Sequence, residues 1–270
     1  LDIYTLNVGQ GAFSVVVSAN EAIIIDTFVP GNPQQSVVHV VGALAAILKG
    51  KALTGLLVTG FDADHFCDVG LNVVLNKYRP NWIMYPKYFK ETATAKQCFS
   101  LIDAKKIQRA SIDLAMNQAR TYNASEFRLE VFSPHSADMN SSNNCSLVCR
   151  ITEVSTGMSY MATGDTELAR WSNICRIFSG ALRAHVMAAP HHGSDNGVDL
   201  AVMQAVSPHT VLVSCGIGNQ YGHPGSQAAA LFTRYATEWY CTAQNTSGKG
   251  QSLVTTALPT GIVTQLFSSP

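Results

Sequence analysis

Apolar residues recur along this chain in short blocks separated by turn residues. Asp2–Val8, Phe13–Ser18 and Glu21–Asp26 read as three strands, with Gly9-Gln10-Gly11 and Ala19-Asn20 as the turns between them. Gln34–Lys49 carries helical spacing and stops at Gly50. The apolar run Leu53–Val58 predicts a buried strand, Phe66–Lys77 a helix, Trp82–Tyr85 a strand, and the basic stretch Lys90–Arg109 a helix. Strands follow at Phe127–Phe132, Cys145–Ile151 and Ser159–Ala162, then a helix at Glu167–Ser179. Strand His185–Ala189, helix Val198–Val206, strand Thr210–Ser214 and helix Ser226–Tyr235 come next, and strands Ser252–Thr256 and Gly261–Phe267 close the chain.

Both halves mix strands with helices, and no linker or low-complexity segment divides them. The most polar stretch, Ser136–Asn144, is short and lies inside the strand run. The expected architecture is α/β, two sheets between helical layers, in one domain over residues 1–270.

Composition narrows the function classes. Charged residues are 13% and hydrophobic ones 47%, which excludes disordered and fibrous chains. No apolar run reaches the ~18 residues of a membrane span. Seven cysteines, an odd number without CxxC spacing, favour a reducing, cytoplasmic setting. Net charge is zero, yet Lys77 to Arg109 holds about +6 of it, interleaved with Tyr78, Trp82, Tyr85, Tyr88, Phe89 and Phe99. That mixture suits phosphate contacts and base stacking, with Lys87 and Lys90 as candidate contacts. An ordinary solvated helix face over core aromatics accounts for it equally well.

The densest chemistry is Thr59-Gly60-Phe61-Asp62-Ala63-Asp64-His65, at the exit of strand Leu53–Val58. Asp62, Asp64 and His65 supply carboxylate oxygens and an imidazole nitrogen, the donors of a hydrolytic zinc or manganese centre. Three later segments also end strands: Thr163-Gly164-Asp165, Pro190-His191-His192-Gly193-Ser194, and Cys215 to Pro224 with Asn219, Tyr221 and His223. Strand-end loops are where open α/β sheets build sites. One Asp at a strand exit is ordinarily a helix cap. Donors after several strands point instead to one convergent metal site.

These motifs, in this order, resemble the metallo-β-lactamase fold superfamily and, within it, the metal-dependent hydrolase domain of ComEC-type competence proteins. Leu6-Asn7-Val8-Gly9-Gln10-Gly11, Ile25-Asp26-Thr27, Asp62-Ala63-Asp64-His65, Asn143-Asn144-Cys145-Ser146-Leu147-Val148, Thr163-Gly164-Asp165, His191-His192-Gly193-Ser194 and Gly218-Asn219-Gln220-Tyr221-Gly222-His223-Pro224 carry the likeness. The resemblance implies an αββα four-layer sandwich. It also implies a phosphodiesterase or nuclease that acts on nucleic acid or nucleotides through hydroxide generated at a metal. Asp64, His65, Asp165 and His191 would form one metal site. Asp62 would belong to a second, bridged by Asp165. His223 would face the leaving group, His192 would orient its neighbour, and Asn219 and Tyr221 would orient the substrate. Asp64, Asp165 and His223 are thus the expected catalytic residues.

Four departures from the pattern alter the expectation. Gly60 stands where the motif has its first histidine, Ala12 where it has an acid, and Phe28 where it has a glycine, while Cys67-Asp68 interrupts a glycine pair. Without an imidazole at position 60 the second site is left with oxygen donors from Asp62, Asp165 and the Asn143 or Asn144 carbonyls. One firm Zn2+ or Mn2+ is expected, with a second weak or absent. Hydrolysis of an ester, lactone or phosphorylcholine group, and a binding module with a decayed site, remain alternatives. Oligomeric state, and whether the domain stands alone or within a longer protein, are left open.

Overall fold

Two mixed sheets stack face to face, and each carries helices on its outer face. The computed structural model describes residues 1–32, 34–88, 91–136, 141–243 and 250–268. The first sheet contains β1 (Asp2–Thr5), β2 (Ser14–Val17), β3 (Glu21–Ile25), β4 (Ala52–Leu57), β5 (Trp82–Pro86), β6 (Gln108–Ile112), β14 (Ser252–Leu258) and β15 (Gly261–Phe267). Its spatial order is β15-β14-β1-β2-β3-β4-β5-β6. The second sheet contains β7 (Arg120–Asn123), β8 (Phe127–Ser133), β9 (Val148–Glu153), β10 (Ser159–Ala162), β11 (Val186–Ala188), β12 (Thr210–Val213) and β13 (Glu238–Cys241), in the order β13-β12-β11-β10-β9-β8-β7.

The period-2 alternation of a strand distributes its residues between two cores. Along β3, Ala22 and Ile24 join the outer cluster while Ile23 and Ile25 face the space between the sheets. Strands buried on both faces are therefore nearly continuous apolar runs. Helices α1 (Gln34–Ile47), α2 (Asp68–Lys77) and α3 (Ala93–Ala104) cover the first sheet through Leu44, Val74 and Ile102. On the other side α4 (Leu168–Phe178), α5 (Leu200–Val206) and α6 (Ser226–Tyr235) cover the second sheet through Trp171, Val202 and Phe232. Between the sheets Ile3, Val16 and Leu57 meet Leu129, Ile151 and Leu212. This is the expected αββα sandwich.

Three strands depart from the sequence reading. The helix expected to run to Arg109 ends at Ala104, and β6 starts at Gln108 after Lys106 takes a left-handed φ of 52°. Both β7 and β13 have four residues and lie at the margins of the second sheet. Pairing with one neighbour, rather than local alternation, creates them.

Strands β3, β4, β5 and β6 run parallel in the first sheet, and β10, β11, β12 and β13 in the second. The loops that follow β3, β4, β10, β11 and β12 carry Asp26, Asp64-His65, Asp165, His191-His192 and the 214–224 segment. These meet at one edge of the sandwich.

Candidate metal centre

A turn closes directly after β4. The amides of His65 and Phe66 both donate to the Asp62 carbonyl, each at 3.0 Å, which places Asp64 and His65 side by side. Asp165 arrives from the opposite sheet through Gly164, whose φ is +52° and whose Cβ, if present, would lie 2.9 Å from Ser146 and Thr59 side-chain atoms. Only glycine allows that approach. Ser146 then fixes the turn, its Oγ accepting the Asp165 amide at 3.0 Å.

The ligand atoms of Asp64, His65, Asp165 and His192 all lie within 4.8 Å of one another. His65 Nε2 is 2.9 Å from Asp165 Oδ1, and His192 Nε2 is 3.5 Å from Asp64 Oδ2 and 3.6 Å from Asp165 Oδ1. Tetrahedral ligands about 2.1 Å from one ion would sit roughly 3.4 Å apart. Each imidazole is held from its far side. His65 Nδ1 donates to Asp26 Oδ2 at 2.9 Å, and His192 Nδ1 donates to the Ser214 carbonyl at 2.8 Å. Both Nε2 lone pairs are thereby turned toward the cluster. Thr59 completes the Asp26 anchor by donating its amide and its hydroxyl, each at 2.7 Å.

Whether these residues fit a metal is tested by their unsatisfied atoms. Apart from one another and Asp64, His65 Nε2, Asp165 Oδ1 and His192 Nε2 are buried with no hydrogen-bond partner among the described residues. Three such atoms facing each other would be costly if nothing bound them. Two carboxylates and two imidazoles balance a divalent charge and suit zinc or manganese alike. The site is therefore compatible with one divalent ion.

Without an ion the electrostatics are tense. Burial opposes a charge on His65, yet Asp165 and Asp26 outweigh it and hold its pKa well above the ordinary value. His192 is raised in the same sense, with burial outweighed by Asp165 and by a hydrogen bond to Asp64. Burial would raise the Asp165 carboxyl, but His65 and His192 reverse this and hold it well below the usual range.

Of the paired histidines, His192 and not His191 lies in the four-residue cluster. Both adopt left-handed backbone, φ 50° at His191 and 54° at His192, and their rings part. His192 is the one buried among the donors. His191 remains at the cleft, with Nδ1 3.2 Å from Asn196 Oδ1 and Nε2 3.9 Å from Asp165 Oδ2. Asp62 is also outside the four-residue cluster, and its carboxylate accepts a close hydrogen bond from the Ser142 hydroxyl. The Asn143 and Asn144 side chains turn to Glu167, donating at 2.9 Å to Oε1 and 3.5 Å to Oε2.

Above the cluster opens a cleft of about 720 Å³, lined by Gln10, Phe28, Asp62, Asn143, His191 and Tyr221, among others. His223 stands in it beside His191, their ring centroids 5.9 Å apart, and Tyr221 stacks on His223 at 5.7 Å and 15°. Burial, together with His192 and His191, lowers the His223 pKa. Asn219 lines the cleft, but its amide latches the loop rather than facing outward. It donates to the Gly216 and His223 carbonyls at 2.9 and 2.7 Å and accepts the His223 amide at 2.9 Å.

Three basic residues of the Lys77–Arg109 segment pair with carboxylates. Lys87 pairs with Asp113 at 2.7 Å, Lys96 with Glu91 at 3.2 Å, and Arg109 with Asp103. Its aromatics are core material: Tyr85 and Phe99 pack edge-on with each other and cluster with Phe61 and Phe66. Lys90 and Phe89 lie outside the described residues.

Two residues that sequence reasoning did not assign matter here. Asp26 orients His65, and its signal was an acid ending an otherwise apolar strand. Glu167 gathers Asn143, Asn144 and Asn196 (Asn196 Nδ2 to Oε1, 3.2 Å). No sequence pattern indicated that junction, because it joins three loops distant along the chain.

The four layers, with donors at one edge, are those of the metallo-β-lactamase fold. The diiron β-hydroxylase CmlA of Streptomyces venezuelae superposes with a TM-score of 0.52 at 10% identity, over 88% of this chain and 52% of CmlA. The metallo-β-lactamase fold protein YhfI of Bacillus subtilis aligns over 93% of this chain and 99% of its own at 11% identity, with a TM-score of 0.47. No family model matches the sequence. Among curated proteins, ComE operon protein 3 of Bacillus subtilis is 26% identical over 195 residues, 72% of this chain. Competence protein ComA of Neisseria gonorrhoeae is 26% identical over 219 residues, 80% of this chain. The alignments span only 24% and 27% of those two proteins. Among the described residues no helix is long and apolar enough to cross a membrane.

Proposed function

We propose that the protein is a metal-dependent phosphodiesterase acting on nucleic acid or nucleotides, with one Zn2+ or Mn2+ held by Asp64, His65, Asp165 and His192. The observation that carries this reading is that His65 Nε2, Asp165 Oδ1 and His192 Nε2, buried at the floor of an open cleft, face only one another and Asp64. A divalent ion bound there supplies a water of lowered pKa and offsets anionic charge on the substrate.

The chain's own groups do the rest. Asp26 and Ser214 hold the two imidazoles as Nε2 donors. His191 and His223 bring ring nitrogens to the cleft wall, and Gln10 adds a side-chain amide, a set suited to phosphoryl oxygens. Because its pKa is lowered, His223 is neutral at pH 7 and donates an N–H toward a leaving oxygen without requiring prior protonation. Phosphodiester chemistry is preferred over other hydrolysis because the cleft wall offers histidine and amide groups suited to phosphoryl oxygens.

The test is a hydrolysis screen with bis-p-nitrophenyl phosphate, single-stranded DNA, RNA and cyclic dinucleotides, in manganese or zinc, with Asp165→Ala as control. Hydrolysis of at least one phosphodiester that Asp165→Ala abolishes is expected. No turnover of any of them, or turnover that survives the substitution, would sink the proposal.

A further inference from the structure

At the end of the cleft loop, two cysteines from neighbouring parallel strands meet. Cys215 follows β12 and Cys241 ends β13, and their Sγ atoms are 3.2 Å apart. Both residues are buried, 0% and 3% exposed. Their backbones are held in place through Thr242. The Thr242 amide donates to the Val213 carbonyl at 3.0 Å, its Oγ1 accepts the Cys215 amide at 3.1 Å, and that hydroxyl donates to the Cys215 carbonyl at 3.0 Å. A disulfide has its sulfurs about 2.05 Å apart, so the pair is about 1.2 Å from bonding distance.

We propose that Cys215 and Cys241 are joined by a disulfide when the chain folds under oxidising conditions. The oxidant is a small-molecule disulfide such as oxidised glutathione. One cysteine thiolate attacks a glutathione sulfur, forming a mixed disulfide and releasing one glutathione thiolate. The second cysteine thiolate attacks the protein sulfur of that mixed disulfide and releases the other. The two cysteine protons pass to the departing thiolates, so two protein thiols are oxidised and one glutathione disulfide is reduced.

Folding is the moment for this step. In the native state the hydrogen bond between the two thiols, and burial, push Cys215 far above the ordinary thiol range, so little thiolate is present to react. The same burial shields the bond once formed. The cross-link has a mechanical consequence. Among the described residues β13 pairs only with β12, and the segment between Cys215 and Pro224 carries Tyr221 and His223. Joining the two strand ends fixes the base of that loop to the sheet edge.

The test uses the full chain, unfolded and reduced in urea, then refolded with oxidised and reduced glutathione. Mass spectrometry after denaturing alkylation should show five modified cysteines of the seven in the chain and a peptide joining positions 215 and 241. The thermal midpoint should stand roughly 5 °C or more above that of the reduced protein. Cys215→Ser should abolish the joined peptide and leave Cys241 alkylated. Seven alkylated cysteines in the refolded protein, or a bond between other positions with 215 and 241 free, would overturn the proposal. The same count on protein exported to an oxidising compartment decides the matter if refolding yields are poor. None of these readouts depends on catalytic activity, so they stand apart from the proposed phosphodiesterase function.

Discussion

His192 Nδ1 donates to the carbonyl of Ser214 at 2.8 Å, across two neighbouring strand-end loops of the second sheet. That bond turns the other ring nitrogen toward the donor cluster, which includes His192 and not His191, the residue to which the sequence pointed. Metal content of purified variants measures the difference. One divalent ion per chain is expected for the parent and for His191→Ala, and a large loss for His192→Ala. Retention by His192→Ala with loss from His191→Ala would restore the sequence-based assignment.

Asp26 lies outside the cluster yet should govern it. Its carboxylate fixes the tautomer of His65 and raises the basicity of that ligand. Asp26→Asn removes the charge and is expected to weaken metal affinity by about 10–100-fold. A chelator competition titration reads this directly, and an unchanged affinity would remove Asp26 from the site.

Gly60 is buried, yet a Cβ there would meet only Ser146 Oγ, at an ordinary contact distance of 3.9 Å. A side chain can be added without displacing backbone. Gly60→His should supply the imidazole missing beside Asp62 and raise stoichiometry from one ion toward two in manganese or zinc. Stoichiometry that stays at one would show that Asp62, engaged by Ser142, is not free to ligate.

The pH dependence follows from the directions of the shifts. His65 and His192 have raised values in the metal-free fold, so their stabilising contribution is complete below the ordinary histidine pKa and is lost as pH rises through the raised values. Asp64 and Asp165 have lowered values, so theirs is present above the ordinary carboxyl pKa and lost as pH falls through the lowered values. Metal-free protein should be most stable in the mildly acidic interval between the two ordinary values. Bound metal competes with the imidazole protons, so the rise in melting temperature on adding zinc should be larger at pH 8 than at pH 6. An equal or smaller rise at pH 8 would contradict this electrostatic account.

Glu167 ties the loops bearing Asn143, Asn144 and Asn196, and Asn196 in turn meets His191. Glu167→Gln keeps the shape but replaces one acceptor with a donor. Metal content should remain at one ion while KM for a phosphodiester rises several-fold. Loss of metal in this variant would place Glu167 in the support of the ion rather than of the cleft.

The sequence alone determined the layers and the edge of the fold that carries chemistry. Short, β-branched apolar runs bounded by turn residues, such as Ala22–Ile25, fit strands buried on both faces, and a polar donor directly after such a run then falls at a sheet edge. Asp64, His65 and Asp165 were legible for that reason, and so was the absent imidazole at Gly60, whereas the room beside Gly60 is seen only in the structure. Tertiary structure alone decided between His191 and His192, because two successive left-handed residues send adjacent rings apart and nothing local says which turns inward. It also engaged Asp62 with Ser142 of a distant loop and Asn219 with its own loop, and paired Lys87, Lys96 and Arg109 with carboxylates. Spacing along the chain specifies which groups reach the same edge. Which of their atoms face one another is set by hydrogen bonds between loops far apart in sequence.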